Sequence, residues 1–242
     1  MAKILITGAS TGIGAETSRL LAENNELFLV YNRSEEKAKQ LEAELGDLGA
    51  KVHLLQADIT SEIACIELFR QIGELTDSLD VLVNNAGGLV RRQAADALDW
   101  QLMQEIFNLN VFSLFKITSL ALPFLRKGEK PSIVNITSIA SRHGAPGATI
   151  YGAAKGSVDT FTRGLCKELA PEIRINSVSP GVIVTPFHDK VSTPEQMVAW
   201  AEGNPLKRNG TPNNIATAIK FLIENDFING ESIDVNGGLL MR

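Results

Sequence analysis

Short apolar runs alternate with longer amphipathic segments from one end of the chain to the other. The apolar runs are rich in β-branched residues, and the amphipathic segments place their charged residues on one face. This alternation is typical of βαβ units, in which helices cover both faces of a parallel sheet. The pattern therefore predicts an α/β protein.

Seven runs are predicted as strands: 3–7, 26–31, 51–56, 80–85, 131–138, 173–180 and the closing "ESIDVNGG". Helices are predicted at 14–24, 34–49, 61–75, 99–127, 151–169 and 211–225. The region 186–205, with a proline near each end, breaks the alternation. We expect a single-domain Rossmann fold over residues 1–242, a doubly wound parallel seven-stranded sheet with helices on both faces, from which 186–205 is a small excursion.

Composition narrows the class of protein. The 242 residues carry a net charge of −5 and no long basic run, which argues against nucleic-acid binding. The three histidines are far apart in sequence, so no metal site is expected. No apolar stretch suggests a membrane span and no secretory signal is evident, so the sequence predicts a cytoplasmic protein with reduced cysteines.

A glycine-rich segment, "TGASTGIG" (7–14), joins the first strand to the first helix. Its glycines, Gly8, Gly12 and Gly14, allow backbone conformations closed to other residues and let a phosphate approach the helix N-terminus. The segment thus predicts a dinucleotide site. Taken alone, it does not separate flavin, nicotinamide and S-adenosylmethionine binders.

The end of the second strand bears on the cofactor. It reads "VYNRS", without the carboxylate that usually takes the ribose 2′-hydroxyl of NAD. Arg33 and Ser34 stand where a 2′-phosphate would bind, and Lys37 is one turn further on. We therefore expect NADP (NADPH) in preference to NAD; the alternative is that Arg33 is a solvated charge that opens an acidic helix.

Tyr151 and Lys155 form a candidate proton-transfer pair. They are four residues apart in a predicted helix and so lie on one face, and a nearby ammonium lowers the pKa of a phenol. Ser138, thirteen residues earlier, follows a predicted central strand at the edge where open α/β sheets bind ligands. Its hydroxyl would bind a substrate oxygen while Tyr151 transfers the proton.

These motifs together resemble the short-chain dehydrogenase/reductase family. The resemblance covers essentially the whole chain, through the glycine segment, Asp58 in "QADIT", "NNAG" (84–87), the tyrosine and lysine, and "SPG" (179–181). It implies that the catalytic residues are Asn110, Ser138, Tyr151 and Lys155. It also implies a cofactor site made of Gly8, Ser10, Thr11, Gly12, Ile13, Gly14, Asn32, Arg33, Ser34, Asp58, Ile59, Asn85, Ala86, Gly87, Tyr151, Lys155, Pro180, Gly181, Ile183 and Thr185.

The implied reaction is the interconversion of a carbonyl and a secondary alcohol by hydride transfer with an NAD(P) cofactor. In the reductive direction Tyr151 protonates the oxygen, Ser138 orients it, and Lys155 lowers the tyrosine pKa and holds the nicotinamide ribose. Asn110, preferred to Asn108 in "FNLN", is implied to anchor a water molecule linked to Lys155. The alternative is a catalytically silent nucleotide-binding or regulatory member of the same fold.

The substrate stays open at this point. The chain looks closest to 3-oxoacyl-thioester (acyl-carrier-protein) reductases and to sugar or polyol dehydrogenases. Phe187, Met197 and Trp200 are candidates for an apolar lid, His143 and His188 for polar contacts, and Arg91 or Arg92 for binding an anionic substrate. An acyl carrier protein would dock on basic residues near "RKGEK" (126–130), and the resemblance implies a homotetramer acting on a small-molecule carbonyl or alcohol.

Overall fold

The computed structural model describes residues 1–241 and is built around one parallel sheet. Its strands are β1 (Lys3–Thr7), β2 (Glu26–Tyr31), β3 (Lys51–Gln56), β4 (Val81–Asn84), β5 (Ser132–Ile136), β6 (Arg174–Pro180) and β7 (Ser232–Val235). Their order across the sheet is β3-β2-β1-β4-β5-β6-β7, with every pair parallel. The predicted doubly wound Rossmann fold with seven strands is therefore confirmed.

Helices cover both faces of this sheet. They are α1 (Gly12–Leu20), α2 (Glu35–Asp47), α3 (Glu62–Leu75), α4 (Trp100–Phe107), α5 (Ser113–Leu125), α6 (Ala140–His143), α7 (Thr149–Leu169), α8 (Pro194–Gly203) and α9 (Pro212–Glu224). Short 3₁₀ turns lie at Ala95–Ala97 and His188–Lys190. The region 186–205 thus contains a 3₁₀ turn followed by α8.

The apolar core forms two layers, one on each side of the sheet. Side chains alternate along β1: Ile4 and Ile6 pack in the layer that includes α1, α2 and α9, whereas Leu5 packs in the layer that includes α3 and α5. Strands buried on both faces have to be apolar throughout, which explains the runs in the sequence.

The predicted helix at 99–127 is interrupted. Between α4 and α5, residues Asn108–Phe112 form a π-helical segment, in which the N–H of Ser113 donates to the carbonyl oxygen of Asn108. Such segments are rare and are often found at functional sites. The sequence pattern predicted one helical region over 99–127, which the structure divides into α4, the π-helical segment and α5.

By length and composition, the helical run from Trp100 to Leu125 would suffice to cross a membrane, although the sequence analysis expected no such run. In the fold, Ile117, Ala121 and Leu125 of this run are fully buried with α3 and the sheet. Core packing therefore accounts for the apolar residues on the buried face of this run.

Candidate active site

A cavity of about 1320 Å³ opens at the carboxyl edge of the sheet, between β1 and the segment that follows β6. This is the edge at which the strand order reverses direction and where open α/β sheets bind ligands. It is lined by the glycine segment, the ends of β4 and β5, the first turns of α7, and the chain from Pro180 to Trp200.

The glycine segment has the backbone geometry of a phosphate cradle. Gly8 and Gly12 have φ of +64° and +54°, a region that favours glycine. A Cβ atom on Gly14 would lie 2.2 Å from the carbonyl oxygen of Gly8, so only glycine fits. Because α1 begins at Gly12 and residues 11–13 line the cavity, the positive end of the helix faces it. The residues present fit a dinucleotide.

Asn85 connects this segment to the strand beside it. Its Nδ2 donates to the carbonyl oxygens of Thr7 and Gly8, each at 3.0 Å. The Thr7 hydroxyl also accepts from the backbone N–H groups of Asn85 and Ala86. The ends of β1 and β4 are thereby held together beneath the cavity.

The residues predicted to bind the adenosine half lie outside the main cavity, next to the ends of β2 and β3. Asn32 and Arg33 are exposed, and within residues 1–241 Arg33 makes no ion pair. Ser34 occupies the N-cap position of α2, but its side chain makes no capping hydrogen bond. Asp58 accepts from the N–H and hydroxyl of Thr60 at 3.0 and 2.7 Å. The structure also places Ser10 in the turn before α1, and Ile59 is buried.

Asn110 lies in the π-helical segment and is fully buried. Its Nδ2 donates to the carbonyl oxygens of Ile106 and Gly88, both at 2.8 Å, and its Oδ1 accepts from the Gly88 N–H at 3.0 Å. Asn108, the neighbouring candidate, is exposed. The structure therefore brings only Asn110 to the site.

Lys155 is buried, with 3% of its surface exposed. Its Nζ donates to the carbonyl oxygen of Ile136 at the end of β5, at 2.8 Å. A Cβ atom on Gly87 would lie 3.1 Å from this Nζ and 2.7 Å from Asn110 Oδ1, so both groups border the same residue. Burial lowers the pKa of Lys155 to about 8, because desolvation disfavours the ammonium.

Tyr151 lies in the first turn of α7, one turn before Lys155, and its ring centroid is 5.9 Å from Lys155 Nζ. Burial raises the pKa of Tyr151 to about 12, although a side-chain hydrogen bond with Ser138 opposes this. The direction is opposite to the one that the sequence predicts from Lys155, because desolvation of the phenolate outweighs the hydrogen bond with Ser138. Ser138 follows β5 by two residues, and its Oγ also accepts from the Ala140 N–H at 3.1 Å.

The segment after β6 closes one side of the cavity, and Pro180, Gly181, Ile183 and Thr185 all line it. A Cβ atom on Gly181 would lie 2.8 Å from Asn236 Cα, which explains the glycine. Leu239 also lines the cavity but was not predicted, because nothing in the local sequence marks a C-terminal leucine as a site residue.

The predicted lid is brought to the cavity in part. Phe187, His188 and Trp200 line the cavity, together with His143, whereas Met197 is not among the lining residues. Of the two adjacent arginines, Arg92 lines the cavity and Arg91 pairs with Asp99 at 2.6 Å outside it.

Comparison with known proteins gives matches along almost the whole chain. Residues 8–240 match the family model described as enoyl-(acyl carrier protein) reductase. The cyclopentanol dehydrogenase of Comamonas testosteroni is 36% identical over 239 residues, covering 97% of this chain and 95% of that protein. The 3-oxoacyl-(acyl-carrier-protein) reductase of Thermotoga maritima is 34% identical over 244 residues, covering 98% and 97%.

Solved structures are also similar to this chain over almost its whole length. An NADH-dependent reductase described as responsible for alginate metabolism superposes with a TM-score of 0.90 at 30% identity, covering 100% of this chain and 98% of that one. A short-chain dehydrogenase from Burkholderia cenocepacia in complex with NADP also has a TM-score of 0.90, at 29% identity, covering 98% and 97%. The two similar structures thus differ in the cofactor named for them.

Replacing Gly14 by alanine tests the glycine cradle. Because the added methyl group meets the Gly8 carbonyl, we expect Gly14→Ala to lower the free energy of unfolding by about 1–3 kcal/mol and to weaken NADPH binding at least about tenfold. Fluorescence titration and urea unfolding measure the two effects. Gly46→Ala is the control, since nothing lies within 4 Å of its Cβ position in α2; wild-type affinity in Gly14→Ala would refute the cradle.

The depressed pKa of Lys155 predicts a pH-dependent stability. The ordinary pKa is 10.5 and the folded value about 8, so between these values unfolding takes up a proton and the contribution to stability rises with pH. Between pH 7 and pH 10, we expect the free energy of unfolding of the wild type to increase by about 2 kcal/mol relative to that of Lys155→Met. Exposed Lys127→Met should show no such change. Parallel curves for the wild type and Lys155→Met would contradict the shift.

Proposed function

Because the chain belongs to the short-chain dehydrogenase/reductase family, we propose that it interconverts a carbonyl group and a secondary alcohol with Tyr151 as the proton donor and acceptor. Family membership confirms the resemblance found in the sequence and makes the protein an oxidoreductase. The observation that carries the proposal is the convergence of three segments: Tyr151 and Lys155 of α7 and Ser138 after β5 line the cavity, and Asn110 lies behind Gly87 at its wall.

Tyr151 and Ser138 act on the substrate oxygen. In reduction, Tyr151 releases its proton to the oxygen as the carbon becomes that of an alcohol, and in oxidation it takes the proton back. The Ser138 hydroxyl donates a hydrogen bond to the same oxygen. A phenol with a raised pKa stays protonated across the physiological range, and the alkoxide that it protonates is a far stronger base than a phenolate.

Lys155 makes this proton transfer reversible. A cation near the ring favours the phenolate, and Lys155 Nζ is the cationic group on the same helix face as Tyr151. A lysine with a pKa of about 8 is still largely charged at pH 7 and gives up a proton readily. Asn110 positions this part of the site by binding the backbone of Gly88, which follows Gly87 beneath Lys155.

The cofactor that we propose is NADP(H), which supplies the hydride in reduction and accepts it in oxidation when bound. The glycine cradle would hold its pyrophosphate at the N-terminus of α1, and Arg33 would pair with the 2′-phosphate. In support, Arg33 is exposed at the end of β2 and forms no ion pair in residues 1–241, so its charge is available.

We propose that the substrate is a free small molecule. Two of the three basic residues in 126–130 form ion pairs, Arg126 with Glu172 at 3.4 Å and Lys130 with Asp226 at 3.9 Å, and Arg163 pairs with Asp159 at 2.6 Å. Neutralised charges give little attraction for an acidic partner. An acyl carrier protein therefore stays the less favoured partner.

We also propose a cytoplasmic homotetramer. Large apolar side chains are exposed on the helical run from Trp100 to Leu125, with Trp100 at 72% and Phe112 at 58%, and near the C-terminus, with Phe227 at 97%. Exposed apolar groups of this size favour association. Cys65 and Cys166 are both free thiols, which suits a reducing compartment.

Removing the Tyr151 hydroxyl tests the reaction. With cyclopentanone and a 3-oxoacyl thioester as carbonyl substrates, we expect Tyr151→Phe to lose turnover by a factor of about 10² or more while still binding NADPH, because the proton donor is gone. The chain has one other tyrosine, and Tyr31→Phe is the matched control. Turnover by Tyr151→Phe near the wild-type rate would refute this role.

Arg33 determines the cofactor preference in this proposal. We expect Arg33→Ala to lower the ratio of kcat/KM with NADPH to that with NADH about 10- to 100-fold, the value of one charge-assisted hydrogen bond. Lys39→Ala, in the adjacent α2 and paired with Glu35, should leave the ratio unchanged. A wild-type protein that prefers NADH would overturn the cofactor assignment.

A further inference from the structure

The charged side chains that line the cavity are all basic. Lys155 and Arg92 line it, with His143 and His188, and within the described chain no aspartate or glutamate does. The protein as a whole has a net charge of −5, so the cavity departs in sign from the rest of the molecule. A basic cleft in an acidic protein attracts anions.

Arg92 is linked to the proposed proton donor through the aromatic side chains that line the cavity. A series of aromatic contacts leads from Tyr151 to it: the Tyr151 and Phe187 ring centroids are 6.1 Å apart, those of Phe187 and His188 5.0 Å, and those of His188 and Trp200 5.8 Å. The Arg92 guanidinium carbon then lies 5.5 Å from the Trp200 ring centroid. A molecule with its carbonyl at Tyr151 would extend along this wall towards Arg92.

The guanidinium is held in one orientation. Its Nε donates to the carbonyl oxygen of Val191 at 2.8 Å and its Nη1 to that of Pro146 at 3.3 Å, while one face packs over Trp200. These bonds use two of the five N–H groups of an arginine. The remaining N–H groups at the Nη1 and Nη2 end match the two oxygens of a carboxylate.

The charge of Arg92 is not neutralised by a neighbour. No carboxylate within residues 1–241 pairs with it, whereas the adjacent Arg91 is paired with Asp99. The charge of Arg92 also affects His188. Burial is the larger cause that lowers the pKa of His188, and the positive charge of Arg92 is the second. The Nδ1 atom of His188 is hydrogen-bonded to the Ser192 hydroxyl at 2.8 Å. Arg92 is thus a preoriented cation without a partner beside a large cavity.

We propose that Arg92 binds a carboxylate of the substrate, so that the protein acts on keto acids or hydroxy acids whose carboxylate is several bonds from the reacting carbon. This inference rests on the proposed function and extends it to a substrate class. The carboxylate pairs with the guanidinium, and the aromatic wall between Arg92 and Tyr151 contacts the carbon skeleton.

Turnover of matched substrates is the first test. The pairs are 3-oxocyclopentanecarboxylate with its carboxamide, and 5-oxohexanoate with its carboxamide, each reduced with NADPH. We expect the wild type to prefer the acid, and Arg92→Gln to lower the acid-to-amide ratio of kcat/KM about 10- to 100-fold. Arg92→Lys should retain part of the preference, and Arg91→Gln all of it.

A binding measurement decides the inference without turnover. In a Trp100→Phe background, whose remaining tryptophan is Trp200, cyclopentanecarboxylate is titrated in the presence of NADP and compared with cyclopentanecarboxamide. We expect saturable quenching by the carboxylate, weakened at least tenfold by Arg92→Gln. Equal binding of acid and amide, or equal losses for both in Arg92→Gln, would show that Arg92 only holds the Val191 and Pro146 segments and would overturn the proposal.

The two tests separate the proposals. If the carboxylate binds through Arg92 but no carbonyl compound is reduced, the inference about Arg92 holds and the proposed reaction is wrong. If neutral carbonyl compounds are reduced and the carboxylate does not bind, the reaction stands and the Arg92 inference is wrong.

Discussion

A buried ammonium at the carboxyl edge of the sheet is the constraint on which the arrangement of the site depends. Lys155 has to be desolvated to lie beside Tyr151, and the Ile136 carbonyl compensates part of that cost. Room for Nζ also requires a residue without a side chain three positions after β4, which Gly87 satisfies. Asn110 fills the other side of the same space. Four segments distant in sequence are therefore positioned with respect to one cation.

Two parts of the cavity are lined by different groups, one by backbone and the other by side chains. The end near α1 consists of backbone: a glycine turn, helix N–H groups and the carbonyls that Asn85 holds in place. The opposite end consists of side chains from separate segments, with Arg92, Phe187, His188 and Trp200 in contact. Backbone geometry suits a cofactor common to many enzymes, whereas side chains at the other end suit discrimination among substrates.

This difference explains which features of the fold and of the site could be predicted from the sequence. A glycine turn, a strand or an i, i+4 pair is a local pattern, so the seven strands, the cradle and the Tyr151 and Lys155 pair could all be predicted. The contact of Arg92 with Trp200 joins residues 108 positions apart and has no local pattern. The raised pKa of Tyr151 likewise depends on burial by the whole fold, while its spacing from Lys155 indicated only the opposing effect.

The π-helical segment at Asn108–Phe112 contains one residue more than a regular helix would need, and the position of Asn110 depends on it. A hydrogen bond from residue i+5 to residue i accommodates one residue more than the regular turn. Deleting one residue there would let α4 and α5 merge into a regular helix with nearly the same phase, because the wide turn is what absorbs the extra residue. Ile117 and Ala121 would stay in the core, but the wide turn that carries Asn110 to Gly88 would be lost. The extra residue therefore lets the single helical run from α4 to α5 contribute side chains both to the core and to the site.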